Sequence, residues 1–110
     1  MNREFKFRVY SFVCKEFIYF DIYDYPQGIA GGVSEPQQYT GCHDSANKEI
    51  YEGDIVKYNN GDVIRIGYIQ FMAGIFFLNF PDQTDEELGY LLVSNLKVIG
   101  NIFENPELLK

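Results

Sequence analysis

A chain of 110 residues with 16 acidic and 9 basic side chains, net charge -7, has the length of one domain able to bury a modest core unaided. The acidic balance counts against a general binder of phosphate backbones, which needs a basic face, and the Lys and Arg residues form no cluster. Ten Phe and nine Tyr with no Trp, and many Ile and Val, favour strands over helices.

The opening "MNREFKFR" is followed by no apolar export segment, and the chain has no uninterrupted apolar run of about 18 residues. Neither secretion nor membrane insertion is therefore expected. Two cysteines are too few for a disulfide scaffold, so Cys14 and Cys42 are read as free thiols in a reducing cytoplasm. Phe5, Phe7 and Val9 alternate with Lys6, Arg8 and Tyr10, the period of a half-buried strand. "FIYFDIY" repeats the alternation, with Lys15 and Glu16 expected at the turn of an N-terminal hairpin spanning 1–23. Its second strand is apolar on both faces, so the ribbon must pack on the domain or on a second copy. Two Pro and three Gly then mark residues 24–37 as a long loop.

The remaining 38–110 reads as a barrel core with a short tail. Glu52-Gly53-Asp54 predicts a turn with Gly53 at positive φ, before a strand from Ile55 to Tyr58. Asn60-Gly61 predicts a type I′ turn with both central residues at positive φ, leading into a return strand from Val63 to Phe71. Met72-Ala73-Gly74 turns again into "IFFLNF", completing a meander. Asp85, Glu86 and Glu87 before Leu88 suggest one helical turn capped by Thr84. Lys97 to Phe103 is the last predicted strand, stopped by Asn105-Pro106 before the "ELLK" tail. The fold class is mainly β: one domain over 1–110, an SH3-like barrel or roll with an N-terminal β-hairpin and a long Pro/Gly loop.

Three stretches carry a family resemblance: "KFRVYS", "QYTGCHDSANKEIYEGDIV" and "VIGNIFENPELL". Together they resemble the YopX family of phage and prophage proteins. Cys42 and His43 depart from the family pattern, and Asn47 stands in for its glycine, a mild change because Asn tolerates left-handed backbone. The resemblance implies a small SH3-like β fold encoded on mobile elements, and it brings no established reaction. It also implies that the motif residues matter for structure or interaction: Tyr39, Thr40, Gly41, Asp44, Ile50, Tyr51, Glu52, Gly53, Asp54, Ile55, Val56, Ile99, Gly100, Asn101 and Pro106.

Cys42-His43-Asp44 invites a metal reading, but adjacent residues on an extended chain point to opposite faces. There is no Cys-x-x-Cys and no second His, so no metal or other cofactor is expected. A Cys-His nucleophile meets the same geometric objection. Glu49, Glu52 and Asp54 suggest acid–base chemistry, but Asp54 beside a turn glycine is better placed to accept backbone N–H groups. The aromatic residues suggest stacking platforms for single strands, without the basic groove that accompanies them. The expected role is non-enzymatic, a phage-derived accessory protein acting by protein–protein contact with itself and an unidentified phage or host protein. A nucleic-acid-associated module is the alternative.

Overall fold

Alternating segments pair into two antiparallel sheets in the computed structural model, which describes residues 5–24, 31–81, 85–88 and 93–110. β1 (Lys6–Ser11) and β2 (Glu16–Asp21) form the N-terminal hairpin, in register from Lys6 opposite Asp21 to Ser11 opposite Glu16. Its turn is the four residues 12–15, longer than the expected Lys15-Glu16 pair and ending one residue sooner. Glu16 belongs to the strand, and Lys15, at φ 58°, closes the turn by donating its N–H to the Ser11 carbonyl at 2.7 Å. β3 (Gln37–His43) lies on the other side of β1, and β4 (Glu49–Tyr51) follows it, giving the order β2-β1-β3-β4.

The hairpin thus packs within its own chain. Of the expected loop 24–37, residues 25–30 fall outside the described residues. The segment before β3 is fastened to β1: Ser34 donates its N–H to the Tyr10 carbonyl at 2.9 Å, and its hydroxyl accepts the Tyr10 N–H at 2.8 Å. Gln37 is a buried strand residue, so the expected boundary between loop and core moves by one.

The second sheet is the expected meander, extended at both ends. β5 (Asp54–Asn59), β6 (Ile64–Met72), β7 (Ile75–Asn79), β8 (Asp85–Glu87) and β9 (Leu96–Asn101) take the order β8-β7-β6-β5-β9. Val56, Ile69, Leu78 and Leu96 share its inner face and form a core with Ile50, Phe80 and Leu88. Gly67 sits where β6 and β7 approach closely, since a Cβ there would lie 2.4 Å from the Asn79 carbonyl oxygen.

Three expectations are corrected. Gly61 has positive φ, 97°, but Asn60 does not, so the β5–β6 connection is not type I′. It is a four-residue loop between Asn59 and Ile64, and Val63 lies outside the strand. Asparagine side chains set this geometry: Asn59 Oδ1 accepts the Gly61 N–H, and Asn60 Oδ1 accepts those of Asp62 and Val63. Two successive positive φ values occur instead at Ala73 (54°) and Gly74 (80°), joining Met72 to its partner Ile75.

The acidic excursion is not helical over Asp85–Glu87. It pairs with β7 as β8, because that exposed strand edge offers ladder partners, and Asn79 Nδ2 donates to Asp85 Oδ1 at 2.6 Å. Thr84, the expected cap, lies outside the described residues. The last strand ends at Asn101 rather than Phe103. Asn101 Oδ1 accepts the N–H groups of Phe103 and Glu104 and turns the chain away, before a short 3-10 turn at Pro106–Leu109.

Candidate functional site

The curl of the first sheet brings β2 and β4 towards each other over a polar interior, with the rings of Tyr19 and Tyr51 5.5 Å apart. At its centre lies Arg8, 4% exposed. Its Nη2 donates to Asp54 Oδ1 at 2.9 Å and to the Glu52 carbonyl at 3.2 Å, and its Nε donates to Gln37 Oε1 at 2.8 Å. The guanidinium also lies 4.0 Å from the Phe17 ring centroid and 4.8 Å from that of Tyr51. Asp54 Oδ2 accepts the Tyr51 N–H at 2.8 Å, so this carboxylate ties the turn and the arginine together.

Above this pair opens a cavity of about 370 Å³, whose walls include Phe17, Tyr19, Tyr51, Asn101 and Glu104. Burial pushes the Asp54 carboxyl above its ordinary range, opposed by the Arg8 guanidinium and the Tyr51 N–H. Burial likewise raises Glu52, opposed by the Gln38 N–H its carboxylate accepts, with Glu35 adding to the rise. Burial and then the Glu49 carboxylate hold the Tyr51 phenol well above its usual value.

The family-motif residues fall into distinct places. Tyr51, Asp54, Gly100 and Asn101 line the cavity. Gly53, at φ 84° as expected, packs so closely on Gln37 that a Cβ would meet its amide nitrogen at 2.1 Å. Its N–H donates to the Ile69 carbonyl, and its own carbonyl accepts the Ile102 N–H. A Cβ on Gly100 would fall 2.6 Å from Asn105 Oδ1. Ile50 and Val56 belong to the core, and Ile55 is fully buried as well.

Tyr39 packs on Tyr51 and His43. The Thr40 hydroxyl donates to the Ile50 carbonyl and accepts the Cys42 N–H, and Gly41 has φ 88°. Asp44 accepts N–H groups from Ala46, Lys48 and Val98, each at 2.8 Å, pinning the β3–β4 loop to β9. Asn47 has the left-handed backbone its place in the motif called for. Ile99 is half-buried on β9, while Pro106 opens the last turn and is exposed.

Cys42 packs against the core, His43 is exposed and Asp44 is spent on backbone donors, so the trio does not converge. Among the described residues no group of three His, Cys, Asp or Glu side chains is placed to hold a metal ion. Cys14 is exposed, and neither cysteine is bridged. No described helix is long and apolar enough to cross a membrane.

The YopX protein family matches residues 35–110. The chain belongs to this family. It is 26% identical to protein EF1440 from Enterococcus faecalis, whose crystal structure superposes with a TM-score of 0.65 over 99% of this chain and 100% of that one. The crystal structure of protein yopX from Bacillus subtilis is 18% identical, with a TM-score of 0.63 over 96% and 98% of the two chains, and shares the fold. No curated protein matches the sequence.

In this YopX-family chain the sequence does not single out Arg8 and Gln37 at the centre of the site, nor the cavity walls Phe17, Tyr19 and Glu104. Arg8 looked like a solvent-facing member of an alternating strand. Its partner Asp54 lies 46 positions away, and only the curl of the sheet reveals the pair. The arginine also precedes the family match, whereas the likeness to EF1440 includes the hairpin that carries it.

Proposed function

We propose that this chain is a non-enzymatic accessory protein of phage or prophage origin. It works in the cytoplasm of the host bacterium through contacts with a phage or host protein, and it self-associates. The observation that supports this is how the polar motif groups are used. Asp44, Asp54, Thr40 and Asn101 are bonded to backbone or to Arg8, while Phe12, Val13, Tyr19, Tyr23, Ile64, Met72 and Ile75 stand exposed. Satisfied polar groups hold a frame, and of the exposed apolar side chains Met72 and Ile75 stand opposite each other at the β6–β7 turn, where a partner could cover them together. We read the second sheet as an SH3-like roll, supported by a meander whose last strand returns to pair with its first after a 3-10 turn.

Affinity capture from host lysate, with light scattering of the purified protein at tens of micromolar, tests the role. One specifically enriched protein, or a defined oligomer, is expected. A monomer that enriches nothing would overturn the reading. One observation favours the nucleic-acid alternative: Lys57 and Lys97 lie directly opposite each other on exposed positions of β5 and β9. Like charges so placed repel unless an anion shares them. Salt-dependent binding of a single-stranded oligonucleotide, lost on Lys57→Glu, would move the assignment there.

A further inference from the structure

We infer that the free edge of β2 is a docking site for an extended basic segment of a partner protein, which adds a strand to the first sheet. This rests on the protein-contact reading above and names the surface and its chemistry. The ladder itself shows which main-chain groups are free. Ile22 donates its N–H to the Phe5 carbonyl at 3.0 Å, so Phe5 and Ile22 are a hydrogen-bonded pair. Bonded pairs alternate along an antiparallel ladder, so they recur at Phe7–Phe20, Val9–Ile18 and Ser11–Glu16. Phe17 and Tyr19 therefore turn both their N–H and C=O groups outward, and Asp21 its N–H, its carbonyl accepting the Asp24 N–H instead; β2 has no second neighbour among the described residues.

The same residues direct their side chains to the concave face that holds Arg8, their register partners being Tyr10, Arg8 and Lys6. Phe17 and Tyr19 line the 370 Å³ cavity, and Tyr19 and Asp21 line a second, open one of about 350 Å³. The two cavities share Tyr19, Glu49 and Tyr51, so they form one groove alongside the strand edge. A segment paired with Tyr19 would place every second side chain in that groove.

The charge there selects a basic segment. Arg8 is matched by Asp54, and Lys6 by Glu49. Of the charges that remain, Asp21 and Glu104 oppose Lys48 alone, and Glu104 meets no cation among the described residues. The groove is thus net acidic in a chain of net charge -7, and the exposed Tyr19 ring beside it suits a cationic side chain. Docking by strand addition supplies affinity through the main chain and selectivity through the alternate side chains.

The test uses the full-length protein and two fluorescent eight-residue peptides, one alternating Thr with Lys and the other Thr with Glu. Fluorescence anisotropy should show the Lys peptide binding at least tenfold more tightly. Tyr19→Ala and Tyr19→Pro separate side chain from main chain. Both lose the ring, but only proline removes the outward N–H, and it leaves the β1–β2 bonds in place. Tyr19→Pro should bind at least fivefold more weakly than Tyr19→Ala. Hydrogen exchange should slow at the amides of Phe17, Tyr19 and Asp21 when the Lys peptide is added. Equal binding by the two variants, equal binding of the two peptides, or binding without that protection would overturn the inference. So would concentration-dependent protection of these amides in the free protein, which would assign the edge to a second copy. Light scattering and lysate capture judge the broader role separately.

Discussion

Arg8 and Asp54 are two buried charges, 5% and 4% exposed at the side chain, that hold each other in place across 46 residues of chain. Removing one partner strands the other, a loss of about 3–5 kcal/mol, whereas replacing both with apolar groups is often close to neutral. Arg8→Met and Asp54→Leu should each lower the melting temperature sharply, and the double variant should recover most of the loss. Additive losses in thermal denaturation would show that the two residues act independently. Asp44 gives a second prediction, in pH. Burial raises its pKa, but the N–H groups of Val98, Lys48 and Ala46 together outweigh that and hold the folded value below the ordinary one. A lowered folded pKa contributes stability above the unfolded value of about 3.9, lost as pH falls through the folded value. Asp44→Asn should therefore be about 1–3 kcal/mol less stable at neutral pH, with the gap closing below about pH 4. A gap that stays constant down to pH 2 would contradict this origin.

The glycine corners are where element and sequence agree most closely, and the loop at Asn60-Gly61 shows where they part. Gly53 was legible because a glycine between two acidic residues at a strand start has few other uses. The alternation of β5 to β7 was legible because one face of each strand meets the core, whereas β1 is buried on both faces from Arg8 to Ser11 and β2 holds no fully buried residue. The geometry at Asn60 was not, because its side chain takes two N–H groups that a two-residue turn would leave to the ladder. Nor was β8, since "DEE" has no apolar alternation and pairs only because β7 presents an edge. Arg8 was missed for a related reason: periodicity assigns a face, and this sheet curls until its polar face becomes an interior. The tight turn at Ala73-Gly74 yields a prediction of its own. Ala73 holds a left-handed backbone, at φ 54°, that a Cβ disfavours. Ala73→Asn or Ala73→Gly should raise stability by about 0.5–1 kcal/mol, read from chemical denaturation. Unchanged or lower stability in both would mean that this turn relaxes in solution.

At the scale of the whole molecule, the family match begins at residue 35, yet the frame it describes is completed from before that point. Arg8 neutralises Asp54, Tyr10 stacks on Phe103 with centroids 5.0 Å apart, and β1 supplies the neighbour of β3 at Phe7 and Arg8. Removing residues 1–36 would leave a buried carboxylate without its cation, an aromatic ring without its stack and a strand edge without its pair. The stranded carboxylate is the costliest of these, because desolvation then acts with nothing against it. A chain starting at Gln37 should accordingly lose its cooperative thermal transition at neutral pH. Asp54→Asn in that shortened chain should restore part of it, since a neutral amide can still accept the Tyr51 N–H without carrying charge into the interior. Near-ultraviolet circular dichroism would follow both. A shortened chain that melts cooperatively within a few degrees of the full one would mean that the hairpin is an appendage and that Asp54 finds solvent when Arg8 is gone.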